Sequence, residues 1–358
     1  GFSIFKNIKY LDPTLILWRS SSQWIGGLYF LSFLTIIFSN KSFNYKMTNL
    51  AYSGENNFKS KENIKDNVLK IFIIYSVLSI IILTLLNFSG VRLFNSLNIS
   101  MTLVSGGGFL PTNDINKIIS TNFQKIILIF SLTITLLNIY FIFNLLDKNM
   151  LFKKHREDLY LILLSITLCV LIYFNNYQGF DIIINVLSSL TNSGLTLVKL
   201  DNNLSLYFLL ITIIGGSVMS NTSGIKLIRF YILLKITSSE IIKLISPNSV
   251  INKTIFNTET KISEDNVKIS FLIFISFFLS LFILSSFLIL DNIGFEKSFK
   301  LSILTLTNTV NSEMFNMQNI NFANLLTSSK INLILFMIIG KIELISIFLI
   351  FKKILFKD

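Results

Sequence analysis

Long apolar runs and short polar clusters alternate along this chain, and the alternation defines its elements. Val68 to Leu86, Phe123 to Phe143, Leu159 to Phe174, Ile269 to Leu290 and Ile331 to Ile350 are apolar over most of their length. Each comes near the ~20 residues that a helix needs to cross a ~30 Å hydrocarbon layer. Between these runs lie shorter ones, Arg92 to Val104, Phe180 to Leu190 and Phe295 to Leu306, predicted as helices too short to cross. Each short run ends in a polar cluster: Ser105-Gly106-Gly107-Gly108-Phe109, Thr191-Asn192-Ser193-Gly194-Leu195 and Thr307-Asn308-Thr309-Val310-Asn311. The unit of long run, short run, polar loop and long run therefore occurs three times. An earlier run, residues 14–38, has no short partner ahead of it.

Composition turns these runs into membrane spans. Mean hydropathy is +0.67, and 52% of residues are hydrophobic against 14% charged, well under the ~25% charge usual in soluble domains. The fold class expected is all-α integral membrane, with helix–half-helix–helix repeats in pseudo-fourfold order about a central ion pore. The boundaries drawn are 1–38 for the remainder of a first repeat, 39–66 for a cytoplasmic loop, 67–147 for a second repeat, 148–236 for a third with a broken second helix, 237–266 for a cytoplasmic or interfacial segment, and 267–358 for a fourth.

The net charge of +12 does not point to a nucleic acid, because of where the charge sits. Lys41, Lys46, Lys59, Lys61 and Lys65 form one basic group. Lys148, Lys153, Lys154 and Arg156 form a second, and Lys235, Lys243, Lys253 and Lys261 a third; Lys352, Lys353 and Lys357 close the chain. Basic connections mark the cytoplasmic side of a membrane, so the polar clusters on the other connections face outward. Trp18 and Trp24 are expected at the outer interface, with Arg19 snorkelling to lipid headgroups. Residues 241–245 read as part of a segment lying along the membrane surface. Cys169 reads as a small buried hydrophobe, and His155 as a solvated loop residue. The chain opens on Gly1 without a charged leader and reads as a fragment whose amino-terminal part is missing.

A re-entrant half-helix points its carboxyl end, the negative end of its dipole, at the membrane centre, where a cation is favoured. The residues that follow can present backbone carbonyls, which replace an ion's hydration shell in selectivity filters. Gly108 and Gly194 suit the backbone angles this requires, and Asn311 is expected at the equivalent place in the last unit, since Asn tolerates such angles. The candidate ion-binding residues are Gly1, Gly106, Gly107, Gly108, Thr191, Asn192, Ser193, Gly194, Thr309, Val310 and Asn311, with K⁺ as transported ion and no cofactor.

The run from Leu206 to Leu234 is interrupted by ten residues, Gly215, Gly216, Ser217, Val218, Met219, Ser220, Asn221, Thr222, Ser223 and Gly224. Such a stretch must face protein or water, and just inside the filter it would obstruct the path as a gate. Gly340-Lys341-Ile342-Glu343 puts ionisable residues deep in the last span, where they are functional by default. Lys341 is expected as the gate's partner, unless it lies near enough to the cytoplasmic end to be interfacial.

These residues carry a resemblance. Leu17-Trp18-Arg19 with Gln23-Trp24-Ile25-Gly26-Gly27, the Ser105 to Phe109 cluster with Thr112 and Asp114, the loop from Gly215 through Gly224 to Arg229, and Gly340 to Glu343 resemble, in order, motifs of the Trk/Ktr/HKT superfamily of potassium transporters. The nearest members are the bacterial TrkH/KtrB membrane subunits. The resemblance implies a homodimer in the bacterial inner membrane, in contact with lipid and regulated by a cytoplasmic nucleotide-binding ring (TrkA/KtrA-like). It also makes Gly1 the tail of the first filter. The chain departs from the family pattern in its third and fourth filters, in a loop poorer in glycine, and in Lys341 where an arginine is usual. The expected function is K⁺ uptake, with a Na⁺-conducting or weakly selective pore and a degenerate non-conducting subunit as alternatives. A membrane enzyme is disfavoured, since HExxH, paired intramembrane carboxylates and a Ser/His arrangement are all missing from the sequence.

Overall fold

A computed structural model describes residues 2–5, 8–39, 64–144, 155–173, 179–197, 202–249, 251–257, 261–310, 313–317, 320 and 322–342. Gly1, Asn311, Glu343, most of the 39–66 loop and the basic residues Lys148, Lys153 and Lys154 lie outside the described residues. Within them the structure is all-α, with a single isolated bridge between Thr254 and Lys261.

The helices follow the hydropathy. α1 (Pro13–Ser39) is the lone early span. The second repeat comprises α2 (Ile64–Phe88), the half-helix α3 (Leu93–Ser105), α4 (Asn122–Leu136) and the short α5 (Ile139–Asn144). The third comprises α6 (Arg156–Tyr173), the half-helix α7 (Phe180–Leu190), α8 (Asn202–Ile214) and α9 (Leu227–Ile245). The fourth comprises α10 (Glu264–Leu290), the half-helix α11 (Phe295–Leu306) and α12 (Thr327–Ile342). α9 runs unbroken through the position where a boundary was drawn at 236, and its end exposes Ile241, Leu244 and Ile245.

α2 and α10 are long and apolar enough to cross a membrane, yet only 22% and 39% of their most apolar stretches are buried. A core helix of a soluble protein would be enclosed; these turn apolar surface outward, as lipid-facing helices do. On α2 the buried residues Ile71, Tyr75, Leu78, Ile82 and Leu86 recur at helical spacing, while Phe72, Ile73, Val77, Ile80 and Ile81 are exposed.

The three half-helices are enclosed instead beyond their first turns, and their buried faces are rich in small polar residues. Ser96, Ser100 and Thr102 on α3, Ser189 on α7, and Ser298, Ser302 and Thr305 on α11 return their hydroxyls to carbonyls three or four residues back. Such back-bonding satisfies a hydroxyl with no water nearby and leaves a small, close-packing surface.

The span expected from Phe123 to Phe143 is not continuous. It begins well, with Thr121 and Gln124 forming a reciprocal cap at the start of α4. It breaks at Leu137 and Asn138 although neither glycine nor proline is present. The freed backbone groups find partners in the third repeat: Asn138 N–H donates to the Asp158 carboxylate at 2.8 Å, and Ile139 N–H to the Met219 carbonyl at 3.0 Å. The Leu136 carbonyl accepts from Ser217 N–H at 3.2 Å.

Gly26 and Gly27, adjacent on α1, make a paired prediction. A Cβ on Gly27 would lie 2.7 Å from the Tyr75 hydroxyl and 3.0 Å from Ser105 Cα, whereas one on Gly26 would meet nothing within 4 Å. Gly27→Val is expected to destabilise the protein by about 1–3 kcal/mol through overpacking. Gly26→Ala is expected to stabilise it by roughly 0.5–1 kcal/mol. Thermal melting of the detergent-purified protein measures both; equal shifts would refute the close crossing of α1 over α3.

Candidate functional site

The three half-helices end in the same way. Gly106 N–H bonds Leu103 O and Gly107 N–H bonds Thr102 O; Asn192 and Ser193 repeat this onto Ser189 and Ser188, and Asn308 and Thr309 onto Thr305 and Leu304. This paired closure requires a left-handed residue directly after the helix, and the φ values are +65° at Gly106, +60° at Asn192 and +53° at Asn308. The sequence therefore supplies Gly or Asn, the residues that best tolerate the left-handed region, at the same step of all three repeats.

This common register also aligns the residues beyond. Gly108 and Gly194 are again left-handed, at +72° and +69°. The residue in line with them in the fourth repeat is Val310, which is not left-handed, rather than Asn311, which the sequence reading placed there.

The polar clusters form a ring. A Cβ on Gly108 would collide with the Ser193 carbonyl, and one on Gly194 would lie 2.6 Å from the Val310 carbonyl, so neighbouring strands meet backbone to backbone. Asn192 Nδ2 reaches Thr309 Oγ1 at 3.4 Å. The chain's opening residues pack beside the ring: Phe2 stacks on Phe322 with ring centroids 4.7 Å apart, and Ile8 N–H donates to Asn113 Oδ1. Outside the ring lies a cavity of about 580 Å³, lined by Arg19, Gly108, Thr112, Asp114, Asn116, Gly194 and Val310 among others.

Arg19 does not reach toward headgroups. It is buried, with its guanidinium 4.4 Å from the centre of the Phe109 ring and a hydrogen bond to Ser3 Oγ. One turn further along α1, Gln23 Nε2 donates to the Gly107 carbonyl at 2.9 Å, and its Oε1 accepts from Phe109 N–H at 3.3 Å.

Directly inside the ring sits the 215–224 segment, its side chains buried or nearly so. Gly215 and Gly224, with φ of +69° and +86°, let it leave and rejoin the helices. Ile225 and Lys226 N–H bond the Ile213 and Ile214 carbonyls, both at 2.9 Å, closing the loop on itself. Asn221 Nδ2 donates to the Val104 carbonyl at 2.8 Å, and Ser223 N–H to Asn192 Oδ1 at 3.1 Å. The loop thus hangs from the carboxyl ends of α3 and α7.

Two ammonium groups hold it from below. Lys226 Nζ donates to Thr222 O at 2.5 Å and to Thr222 Oγ1 at 2.9 Å. Lys341 Nζ donates to the Asn221 carbonyl and lies 4.8 Å above the Phe30 ring. Lys341 is therefore an interior residue in contact with the loop, not an interfacial one. The hydroxyls of Ser217 and Ser223 are buried without a partner among the described residues, which leaves polar atoms for a solvated path.

Beneath the loop, His155 is buried rather than solvated. Its Nδ1 lies 3.0 Å from the Asp158 carboxylate and its ring meets Phe141 edge-on. Asp158 also holds the break between α4 and α5, so this cluster ties the second and third repeats together under the loop. Gln23, Lys226 and Asp158 are not singled out as site residues by the repeat pattern. The signal available for Gln23 and Lys226 is their nearness to glycine, Gln23 standing three residues before Gly26 and Lys226 two residues after Gly224.

The class this geometry defines is an all-α membrane protein of helix–half-helix–helix repeats, and it is the fold of a solved transporter. The crystal structure of the potassium transporter TrkH from Vibrio parahaemolyticus superposes with a TM-score of 0.82 at 18% identity, over 98% of this chain and 75% of that one. An uncharacterised cation transporter of Methanocaldococcus jannaschii is 26% identical over 265 residues, covering 70% of this chain and 53% of that protein. The chain thus spans about half the length of the curated relative it matches. No protein-family model matches it. The fold expected from the motifs is the one observed.

Asn192 gives this site its sharpest stability test. Asn192→Ala removes the donor to Thr212 O and the acceptor for Ser223 N–H, both buried. Leaving such groups unpaired costs about 1–3 kcal/mol, and the melting temperature should fall accordingly. Asn192→Asp, which keeps the acceptor but sets a buried carboxyl oxygen against the Thr212 carbonyl at the negative end of α7, is expected to lose at least as much; an alanine variant as stable as the parent would refute the bridge.

Proposed function

We infer that this chain is the membrane subunit of a monovalent cation uptake system, with K⁺ as the ion. The carrying observation is the convergence of three half-helix carboxyl ends on one ring of backbone, because each contributes the negative end of a dipole to the same point. The filter is assigned to Gly106 to Gly108, Thr191 to Gly194, and Thr309 and Val310; Gly1 and Asn311 complete the assignment but lie outside the described residues. Of these, the Gly107 carbonyl is already engaged by Gln23. The fold shared with TrkH and the likeness to a cation transporter support transport rather than catalysis.

Ions move inward down the electrochemical gradient, with an inside-negative potential contributing ~2.3 kcal/mol per charge per 100 mV. The 215–224 loop is the gate in the path: Gly215, Gly216, Ser217, Ser220, Asn221, Thr222, Ser223 and Gly224 occupy the space inside the filter. Lys341 and Lys226 hold the loop closed, and Lys341 also places a positive charge that repels a cation. The repeats are read as 1–38, 67–147, 148–236 and 267–358, with the basic connections cytoplasmic. The assembly proposed is a homodimer in the plasma membrane, the inner membrane in a bacterium, carrying a cytoplasmic nucleotide-binding ring. One observation favours a second reading, a weakly selective or Na⁺-conducting pore: Val310 stands where two other repeats have a left-handed glycine.

The test is rubidium influx in bacteria that lack their own K⁺ uptake, expressing the full-length protein. Gly108→Asp puts a side chain and a charge where the Ser193 carbonyl lies and should abolish influx while the protein still reaches the membrane. Normal influx would contradict the filter assignment. Lys341→Ala removes the bond to Asn221 and should raise the initial rate several-fold; an unchanged or lower rate would contradict its role as a latch.

A further inference from the structure

We propose that Arg19 and Gln23, four residues apart on α1, are positioning residues that set the filter's ion preference by fixing the Gly107–Phe109 strand from outside. The proposal rests on the pore reading above and adds to it the part played by α1.

Gln23 supplies both halves of a backbone pairing. Its Nε2 donates to the carbonyl of residue 107 and its Oε1 accepts from the N–H of residue 109. These are the two groups that a neighbouring strand would take from either side of residue 108 in a parallel bridge. Only one orientation of the amide satisfies both, since a carbonyl needs a donor and an N–H needs an acceptor. The strand is thereby held like one in a sheet although no second strand pairs with it among the described residues.

Gly107 bears independent witness to the fit. Its backbone is not left-handed, unlike that of Gly106 and Gly108, so conformation does not require a glycine there. The positions in register are Ser193 and Thr309, which carry side chains. What excludes a side chain at 107 is Gln23 itself, whose amide occupies the space a Cβ would enter.

Arg19 extends the contact. Its guanidinium lies over the ring of Phe109, the same residue whose N–H is bonded to Gln23, and donates to Ser3 Oγ at 3.2 Å. One helix face thus clamps the second filter strand by backbone and ring together and links it to the chain's opening segment. A filter discriminates between cations by the spacing and field of its carbonyls, so loosening this clamp should alter preference before it alters folding.

The experiment compares the full-length protein with Gln23→Leu, Gln23→Glu and Arg19→Lys in cells lacking K⁺ uptake. Competition of K⁺ and Na⁺ against rubidium influx gives the preference, and membrane levels are measured alongside. Gln23→Glu keeps size and acceptor but loses the donor to Gly107. Both Gln23 variants are expected to reach the membrane and lose roughly tenfold in K⁺ preference, the effect of about one hydrogen bond. Arg19→Lys should shift it in the same direction by less. An unaltered preference in Gln23→Leu overturns the proposal; if that variant does not accumulate, the same result in Gln23→Glu overturns it. Absence of influx in the parent protein would overturn the pore reading instead. The clamp is then decided by melting of the purified protein in KCl against NaCl, where stabilisation specific to K⁺ in the parent and lost in Gln23→Glu upholds it. Retention in the variant, or no such difference in the parent, overturns it.

Discussion

The side-chain amide of Asn192 joins the ring to the loop beneath it. It sits at the left-handed step after α7, donates to the Thr212 carbonyl and to Thr309 Oγ1, and accepts from Ser223 N–H. Four parts of the molecule therefore meet at one residue: the half-helix α7, the helix α8 that returns from it, the polar cluster after α11 and the loop. The reason such a junction is needed is general. Backbone that leaves helical geometry at membrane depth has no water to bond, so each freed N–H and C=O must find protein or a solvated path. Asn308 bonds the Met337 carbonyl of α12 in the same manner, and at Gly106, which has no side chain, Asn221 of the loop reaches to the Val104 carbonyl instead. Three repeats thus solve the same problem, the second by borrowing from the third.

That borrowing links the parts of the centre to one another. The break between α4 and α5 is stabilised by Met219 and Ser217 of the loop and by Asp158 of α6, while the loop is stabilised by Asn192, by Lys226 just ahead of α9 and by Lys341 of α12. A displacement of the loop would leave several buried polar groups unpaired at once. For the gate proposed above, closed and open positions would accordingly be discrete states rather than points along a continuum. The buried hydroxyls of Ser217 and Ser223 stay without a partner among the described residues.

Much of this was legible in the sequence because half-helices in a membrane are punctuated by residues that can end them. The expected runs Phe180 to Leu190 and Phe295 to Leu306 match α7 and α11 to the residue, and α3 differs by one position at each end. The place of the loop was readable for the same reason, through Gly215, Gly216 and Gly224. The interruption after Leu136 was not, because it depends on partners about 20 and 80 residues away rather than on any local breaker. His155 and Arg19 were misjudged on similar grounds. A charged or titratable residue near a helix end reads as solvated until Asp158 and Phe141, or Phe109 and Ser3, are seen to enclose it. Asn311 was placed by the spacing of glycines; the hydrogen bonds that close each half-helix correct the register by one residue, to Val310.

The central claim is that the ring of carbonyls after the half-helices conducts K⁺ in preference to Na⁺. Its most direct test is tracer rubidium uptake into proteoliposomes containing the purified full-length protein alone, with an inside-negative potential imposed. Uptake that external K⁺ suppresses and equimolar Na⁺ does not is the result predicted. Uptake that Na⁺ suppresses equally, or no uptake from correctly inserted protein, would contradict it.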